Sequence, residues 1–281
     1  MSLQCGQRVL SLDTPQIMGV LNVTPDSFSD GGQLLSRGGL LHDRLLERAT
    51  QMVADGAAIL DIGGESTRPG AAPVSLQEEL DRVMGAVQLI GPRLDVILSI
   101  DTSTPEVMRE AAKAGAGLLN DVRALSREGA MAVAVASQLP VSLMHMSDEP
   151  DRMQEQTAYD DVVTDVKAFL AHRIAACREA GMAGDQMVID PGFGFGKTVA
   201  QNYEMLRRLE EFASFDLPIL VGVSRKSMIG AITGRPAPER VVPSAVLAVM
   251  AAARGASVIR VHDVAETADA LAVWQATEGE L

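Results

Sequence analysis

Val96-Ile97-Leu98-Ser99-Ile100-Asp101, continued by Thr102-Ser103-Thr104-Pro105, holds the architecture in miniature. Its first six residues form an apolar, branched run of buried-strand length that closes on a carboxylate. Thr104 then offers a capping hydroxyl just before a proline, the residue suited to the first position of a helix. A helix is expected over 105–114, and Gly115 stands just past its end, where a left-handed residue is needed.

The same unit recurs along the chain. Besides Val96–Asp101, apolar runs occupy Gln16–Asn22, Ala58–Gly63, Gly117–Asp121, Pro140–His145, Met187–Asp190, Pro218–Ser224 and Ser257–His262. Helices are expected between them, over 38–55, 76–91, 105–114, 127–138, 157–181, 199–213, 242–254 and 265–277. Ser75 followed by Glu78 forms a capping box, and Gly56, Gly181 and Gly255 fall just past helix ends. Strand and helix alternating eight times imply parallel strands with helical crossovers. A closed single-domain (β/α)8 TIM barrel over residues 1–281, with its core at about 16–277, is the simplest α/β solution. An open doubly wound sheet is the alternative, and a count of eight favours closure.

Composition agrees. The 281 residues suit one barrel, for which about 250 is typical. Only 3% of residues are aromatic, so the core must be aliphatic and methionine-rich. A net charge of −13 argues against nucleic-acid or anionic-membrane partners. Cys5 and Cys177 have neither disulfide nor zinc spacing. With no apolar run approaching about 20 residues and no signal-peptide core at the start, a reducing, cytoplasmic location is expected.

The strands end in chemistry: Asn22, Asp61, Asp101, Asn120 with Asp121, His145, Asp190, Ser224, and Arg260 with His262. In a parallel barrel these ends share one mouth, where active sites of the architecture lie. The loops Asn22–Gly32 and Gly63–Gly70 mix glycine, hydroxyls and charge, as suits lids over a ligand. Asp190–Thr198 ends in Gly-Lys-Thr but has Pro191 where a Walker loop needs glycine; an exposed Phe193-Gly194-Phe195 fits a flat aromatic ligand at least as well. Period two puts Arg260 and His262 on one face. With Arg68 and Lys226 they concentrate positive charge in an acidic protein, as an anionic substrate requires. His42 and His172 read as surface residues on helices.

Five segments in register resemble the dihydropteroate synthase family. They are Gly19–Phe28, Asp61–Gly70, Asp190–Lys197, Ser224-Arg225-Lys226-Ser227 and Arg260-Val261-His262-Asp263. The resemblance implies an enzyme that condenses a dihydropterin diphosphate with p-aminobenzoate. It implies pterin diphosphate contacts from Thr67, Asp101, Asn120, Met144, Asp190, Lys226, Arg260 and His262. It places p-aminobenzoate among Phe28, Thr67, Arg68, Pro69, Phe195, Lys226 and Ser227, and Mg²⁺ on Asn22. Catalytic roles fall to Arg260, His262, Lys226, Arg68 and Asp26. Such an enzyme is a sulfonamide target, and a homodimer through the later helices is expected.

Ser147-Asp148-Glu149-Pro150 departs from the Gln-Gly common in the family at that point, and Pro243-Ser244 replaces Gly-Ser. Both put local loop shape in question more than chemistry. The rival readings are a folate-dependent corrinoid methyltransferase, which needs neither the Thr67-Arg68-Pro69 loop nor a diphosphate site, and a non-catalytic pterin-binding paralogue.

Overall fold

The structure is a computed structural model and describes residues 1–23, 38–65, 74–148, 152–153 and 156–279. The chain opens with a hairpin ahead of the first expected strand. Strands β1 (Ser2–Cys5) and β2 (Arg8–Ser11) pair antiparallel with Cys5 opposite Arg8, so Gly6-Gln7 is a two-residue turn. Gly6 has φ +62°, as the first position of a hairpin turn demands. The sequence reading assigns no element here.

Then come β3 (Gln16–Asn22), α1 (Gly38–Ala54), β4 (Ala57–Gly63), α2 (Leu76–Ile90), β5 (Ile97–Asp101) and α3 (Pro105–Lys113). They are followed by β6 (Leu118–Asp121), α4 (Ala130–Ser137), β7 (Val141–Met144), α5 (Val162–Glu179), β8 (Met187–Asp190) and α6 (Val199–Arg207). The last turns are β9 (Leu220–Val221), α7 (Ser227–Thr233), α8 (Val241–Ala252), β10 (Val258–Val261) and α9 (Val264–Glu278). All pairings from β3 to β10 are parallel, in the order β8-β7-β6-β5-β4-β3-β10-β9. A parallel bridge from Ile189 to Ile219 closes the ring, with Ile189 N donating to Pro218 O at 2.9 Å. The expected closed barrel is thus the observed one.

Local chemistry explains most boundaries. Ser75 and Glu78 cap α2 reciprocally, as the spacing predicts. Helix α5 begins five residues later than expected because Asp161 is its cap, accepting from Thr164 N at 2.7 Å. The helix expected over 199–213 ends at Arg207 and continues as a tighter turn, Leu209–Phe215. Leu209 and Phe212 are both buried, and three residues per turn puts them on one face. Strand β9 is shorter than expected, because the chain leaves the ladder after Val221 to form the turn that carries Ser224 and Lys226.

Two cores divide the barrel. The larger lies between strands and helices, and is aliphatic apart from Phe193 and Phe212. The smaller fills the bottom of the barrel. Inward residues from the strand starts (Met18, Ile59, Ile97, Leu118, Val188 and Val258) pack against Leu3, Cys5 and Leu10 of the hairpin. The hairpin is therefore a plug, shutting the N-terminal end of the barrel and leaving the opposite mouth open to a ligand.

Candidate active site

Period-two alternation decides what lines the barrel above that plug. Ile59 points inward, so Asp61 and Gly63 do too; the same rule takes Ile97 to Ser99 and Asp101, Leu118 to Asn120, Val188 to Asp190, and Val258 to Arg260. Polar groups thus replace aliphatic ones one step up each of these five strands.

Arg260 is the hub. Its Nε donates to Asp61 Oδ2 at 2.6 Å, and one terminal nitrogen donates to Asp101 Oδ2 at 2.8 Å. Asp61, wholly buried, also accepts from Ser99 Oγ at 2.6 Å and from Asn120 Nδ2 at 3.1 Å. Breaking so buried a pair is costly, so the guanidinium is held in place rather than left to wander. Burial alone would lower the Arg260 pKa, but Asp61 and Asp101 outweigh it and hold it above its ordinary range. Burial raises Asp101 to about 7 against the pull of Arg260, with Asp61 adding to the rise. Its proton is therefore held up to neutral pH, where the group passes from donor to acceptor.

Beside this hub lies a second charged pair of groups. Burial raises the Asp190 carboxyl, opposed mainly by the Lys226 charge and by the Gly192 N–H, which donates at 2.7 Å. Burial brings Lys226 down to about 8, with Asp190 resisting and Arg260 assisting. The Lys226 ammonium donates to the Phe193 carbonyl and sits 4.4 Å from the centroid of the Phe195 ring, a cation over an aromatic face. His262 lies next to Arg260 on the mouth side; its Nδ1 is 3.0 Å from Ser224 Oγ.

The turn bearing Lys226 is held in an unusual backbone. Arg225 has φ +58°, uncommon for a residue with a side chain. Arg225 makes a two-pronged ion pair with Asp263, one arm at 2.8 Å, and its N–H donates to Ser244 Oγ at 2.9 Å. Arg240 donates to the Arg225 carbonyl at 2.9 Å. Ser244, in the segment that departs from the family pattern, thus helps set the direction of Lys226.

Of the residues singled out in the sequence, Asn22, Asp101, Asn120, Met144, Asp190, Phe195, Lys226, Ser227, Arg260 and His262 lie at the C-terminal ends of the strands or in the turns just beyond. The Asn22 amide oxygen and the Asp101 carboxylate both flank Gly63, at 3.4 and 3.6 Å from where a Cβ would stand. Met144 lines the wall beside Gly192, and Ser227 opens α7 at the rim. Asp26, Phe28, Thr67, Arg68 and Pro69 lie outside the described residues. For Phe193 the sequence left both a ligand-facing and a core placement open; the structure decides for the core, with Phe193 fully buried in the outer layer while Phe195 is partly exposed beside Lys226. Asp61 is the functional residue the sequence reading left out of the site. Its signal was the inward alternation from Ile59, an aliphatic plug residue two positions earlier.

The arrangement offers hydrogen-bonding carboxyls and an amide at the base, cations at mid-height and an aromatic face at the rim. That order suits a flat, N–H-rich ring with an anionic tail. The comparisons with known proteins agree. The model of the pterin binding enzyme family matches residues 18–262. The dihydropteroate synthase of Escherichia coli K12 is 51% identical over 271 residues, covering 95% of this chain and 93% of that one. The Haemophilus influenzae enzyme of that name is 49% identical, covering 99% of each. Among solved structures, Yersinia pestis dihydropteroate synthase with a sulfonamide drug superimposes at TM-score 0.93 with 50% identity, covering 99% of this chain and 100% of that one. The Xanthomonas albilineans enzyme with 4-aminobenzoic acid reaches TM-score 0.92 at 45% identity, with 99% and 98% covered. This chain therefore belongs to the pterin binding enzyme family and, within it, to the dihydropteroate synthases.

Proposed function

We propose that this mouth condenses a 6-hydroxymethyl-7,8-dihydropterin diphosphate with p-aminobenzoate, yielding 7,8-dihydropteroate and diphosphate. The observation that carries the reading is Arg260 clamped between Asp61 and Asp101, with Lys226 and Asp190 alongside. Asp101, Asn120 and Asp190 supply acceptors for the aminopyrimidinone edge of the pterin. Met144 packs on its ring, and Lys226 reaches its acceptor atoms. Arg260, braced from behind by two carboxylates, keeps free faces for the ring and for the diphosphate.

The arylamine nitrogen attacks the exocyclic methylene carbon. The carbon–oxygen bond to diphosphate breaks, its electron pair leaves with the diphosphate, and the aniline proton passes to solvent. An electron-rich dihydropterin stabilises positive charge on that carbon, so no strong general base is needed. Arg260 and His262 stabilise the departing anion, and Phe195, Lys226 and Ser227 position the amine, with Thr67, Arg68, Pro69 and Phe28 completing its site. Arg68 and Asp26 act by ordering that site. The roles of Asp26, Phe28, Thr67, Arg68 and Pro69 rest on sequence similarity.

Magnesium fits this site as a substrate-borne ion. Among the described residues no three His, Cys, Asp or Glu side chains cluster to hold a metal. Asn22 nevertheless presents an amide oxygen at the mouth, and Mg²⁺ needs few protein oxygens when phosphate and water supply the rest. Bound there, it would offset the charge of the leaving diphosphate.

A homodimer is part of the same reading. Helices α7 and α8 expose Ile232 (69%), Val242 (73%) and Val246 on neighbouring surface. Such an apolar patch is costly in water and fits a second copy of this chain. Cys5 and Cys177 are free and buried, which suits the reducing, cytoplasmic location we propose. No described helix is long and apolar enough to cross a membrane.

Initial-rate assays with both substrates test the proposal. Dihydropteroate must form, and a sulfonamide must raise the apparent KM for p-aminobenzoate while leaving the maximal rate unchanged. A purified protein that forms product yet ignores high sulfonamide would contradict the assignment of the arylamine pocket.

A further inference from the structure

Two buried groups play no part in the chemistry above. Lys197, in the middle of the Gly-Lys-Thr segment, and His145, just past β7, lie behind the site and not in it. Between them and Lys226 runs the 192–196 loop, which carries Phe195. Its backbone is built from three left-handed glycines, Gly192 (φ +71°), Gly194 (φ +80°) and Gly196 (φ +66°). It belongs to no strand or helix, so its polar groups need partners elsewhere.

Side chains supply them. Lys197 Nζ donates to Gly192 O at 2.8 Å and to Phe195 O at 3.0 Å, and lies 2.9 Å from His145 Nδ1. Burial, and then the Lys197 charge, bring His145 down to about 2, so the ring is neutral; in its Nε2–H tautomer Nδ1 is a third acceptor for Lys197 Nζ, whose own pKa burial pushes well down against the pull of Asp190. The Tyr159 hydroxyl donates to Gly196 O at 3.0 Å. Asn202 works from below: its Oδ1 accepts from Gly194 N at 2.6 Å, while its Nδ2 donates to Lys197 O at 3.1 Å and to Thr198 O at 2.8 Å. The fourth donor is Lys226, which takes Phe193 O. The carbonyls of Gly192, Phe193, Phe195 and Gly196 are thus each taken by one of these side chains. The frame behind it is stiff, because the His145 ring packs edge-on against Phe169 at 4.9 Å, and His145 N donates to Asp190 O at 2.9 Å.

We infer that Lys197, Tyr159 and Asn202 are positioning residues that fix the 192–196 loop and, through it, the Phe195 ring against which the arylamine is held. This rests on the proposal that Phe195 lines the arylamine site. None of the three hydrogen-bonds to a residue of the pterin subsite, although the Lys197 charge is felt at Asp190. Their loss should loosen the arylamine platform and leave the carboxylate base of the site intact.

The test is steady-state kinetics on Lys197→Met and Tyr159→Phe, together with calorimetric binding of pterin diphosphate to each folded variant. Lys197→Met removes two hydrogen bonds to the loop but keeps the apolar stem. It should raise KM for p-aminobenzoate about tenfold, with kcat changed less than about threefold. Pterin diphosphate affinity should fall by no more than about threefold, through the loss of the Lys197 charge near Asp190, clearly less than the arylamine effect. Tyr159→Phe, which removes a single half-buried hydroxyl, should raise the same KM about two- to threefold. An unchanged KM in both folded variants overturns the inference, as does an equal loss of pterin affinity, which would make the scaffold a strut for the whole mouth. Should Lys197→Met fail to fold, Tyr159→Phe decides by the same two readings. A wild-type protein unable to use p-aminobenzoate would instead sink the functional proposal, so the two failures are distinguishable.

Discussion

Arg260→Ala tests the centre of the site. It strips the guanidinium from two carboxylates at once, Asp61 at 2.6 Å and Asp101 at 2.8 Å. Removing one partner of a buried pair costs roughly 3–5 kcal/mol, because the other charge is left uncompensated. Asp61 keeps the Ser99 and Asn120 donors, so the lower end, about 3 kcal/mol, is expected. With a urea slope of roughly 3 kcal/mol/M for a chain of this size, the unfolding midpoint should fall by about 1 M.

The pH dependence follows from Asp101. Its folded pKa of about 7 lies above the ordinary carboxylate value, so the folded protein holds this proton more tightly than the unfolded chain. The group therefore favours folding at low pH, and that contribution is lost as pH rises toward about 7. Deleting Arg260 removes the attraction that keeps the carboxylate ionised, and its pKa climbs further. Below about 7 the group is protonated in both folded proteins; above it only the wild type carries a stabilised carboxylate. The deficit of the variant should therefore be larger at pH 8 than at pH 6. Turnover should fall about 10²–10³-fold, the effect of losing one preorganised donor to a developing anion. p-Aminobenzoate affinity should change by less than about threefold. Urea melts at the two pH values and steady-state kinetics check this. A deficit larger at pH 6, or a collapse of arylamine affinity with turnover preserved, would refute the reasoning.

Leu3→Ala should cost about 2–4 kcal/mol of stability by opening a cavity in the plug, with both KM values unchanged because the mouth is at the other end; chemical denaturation and kinetics on the same sample check it. Gly192→Ala should abolish activity and destabilise the fold, since its Cβ would stand 1.9 Å from His145 O on a backbone of φ +71°; soluble yield, melting temperature and activity report it. Asn22→Ala should raise the Mg²⁺ concentration for half-maximal rate about tenfold, read from a magnesium titration at fixed substrates.

Much of the fold was legible because barrel strands and helices are local objects. The six residues Val96–Asp101 and the Thr104-Pro105 cap signal strand and helix without any distant partner, and the structure places β5 and α3 within a residue of both. The strand-end polar residues were legible too, since one alternation rule and one architecture send them to a common mouth. The first twelve residues were harder. The Gly6-Gln7 turn is a hairpin signal, yet nothing local says that Leu3 and Leu10 will be buried; only the open bottom of a barrel makes them so.

What the linear chain determined by itself was the repeating strand–helix unit, the family, and the set of charged residues that a pterin and an anion need. Tertiary structure alone decided which of these residues brace one another. Asp61 and Arg260 are 199 positions apart, so their ion pair exists only once the ring has closed. The same holds for the aromatic pair: Phe193 and Phe195 share a side of the backbone by simple alternation, but left-handed glycines turn one into the core and leave the other at the mouth. Local preference sets what each segment can become, whereas a buried charge or ring finds its place only when distant segments exclude water around it.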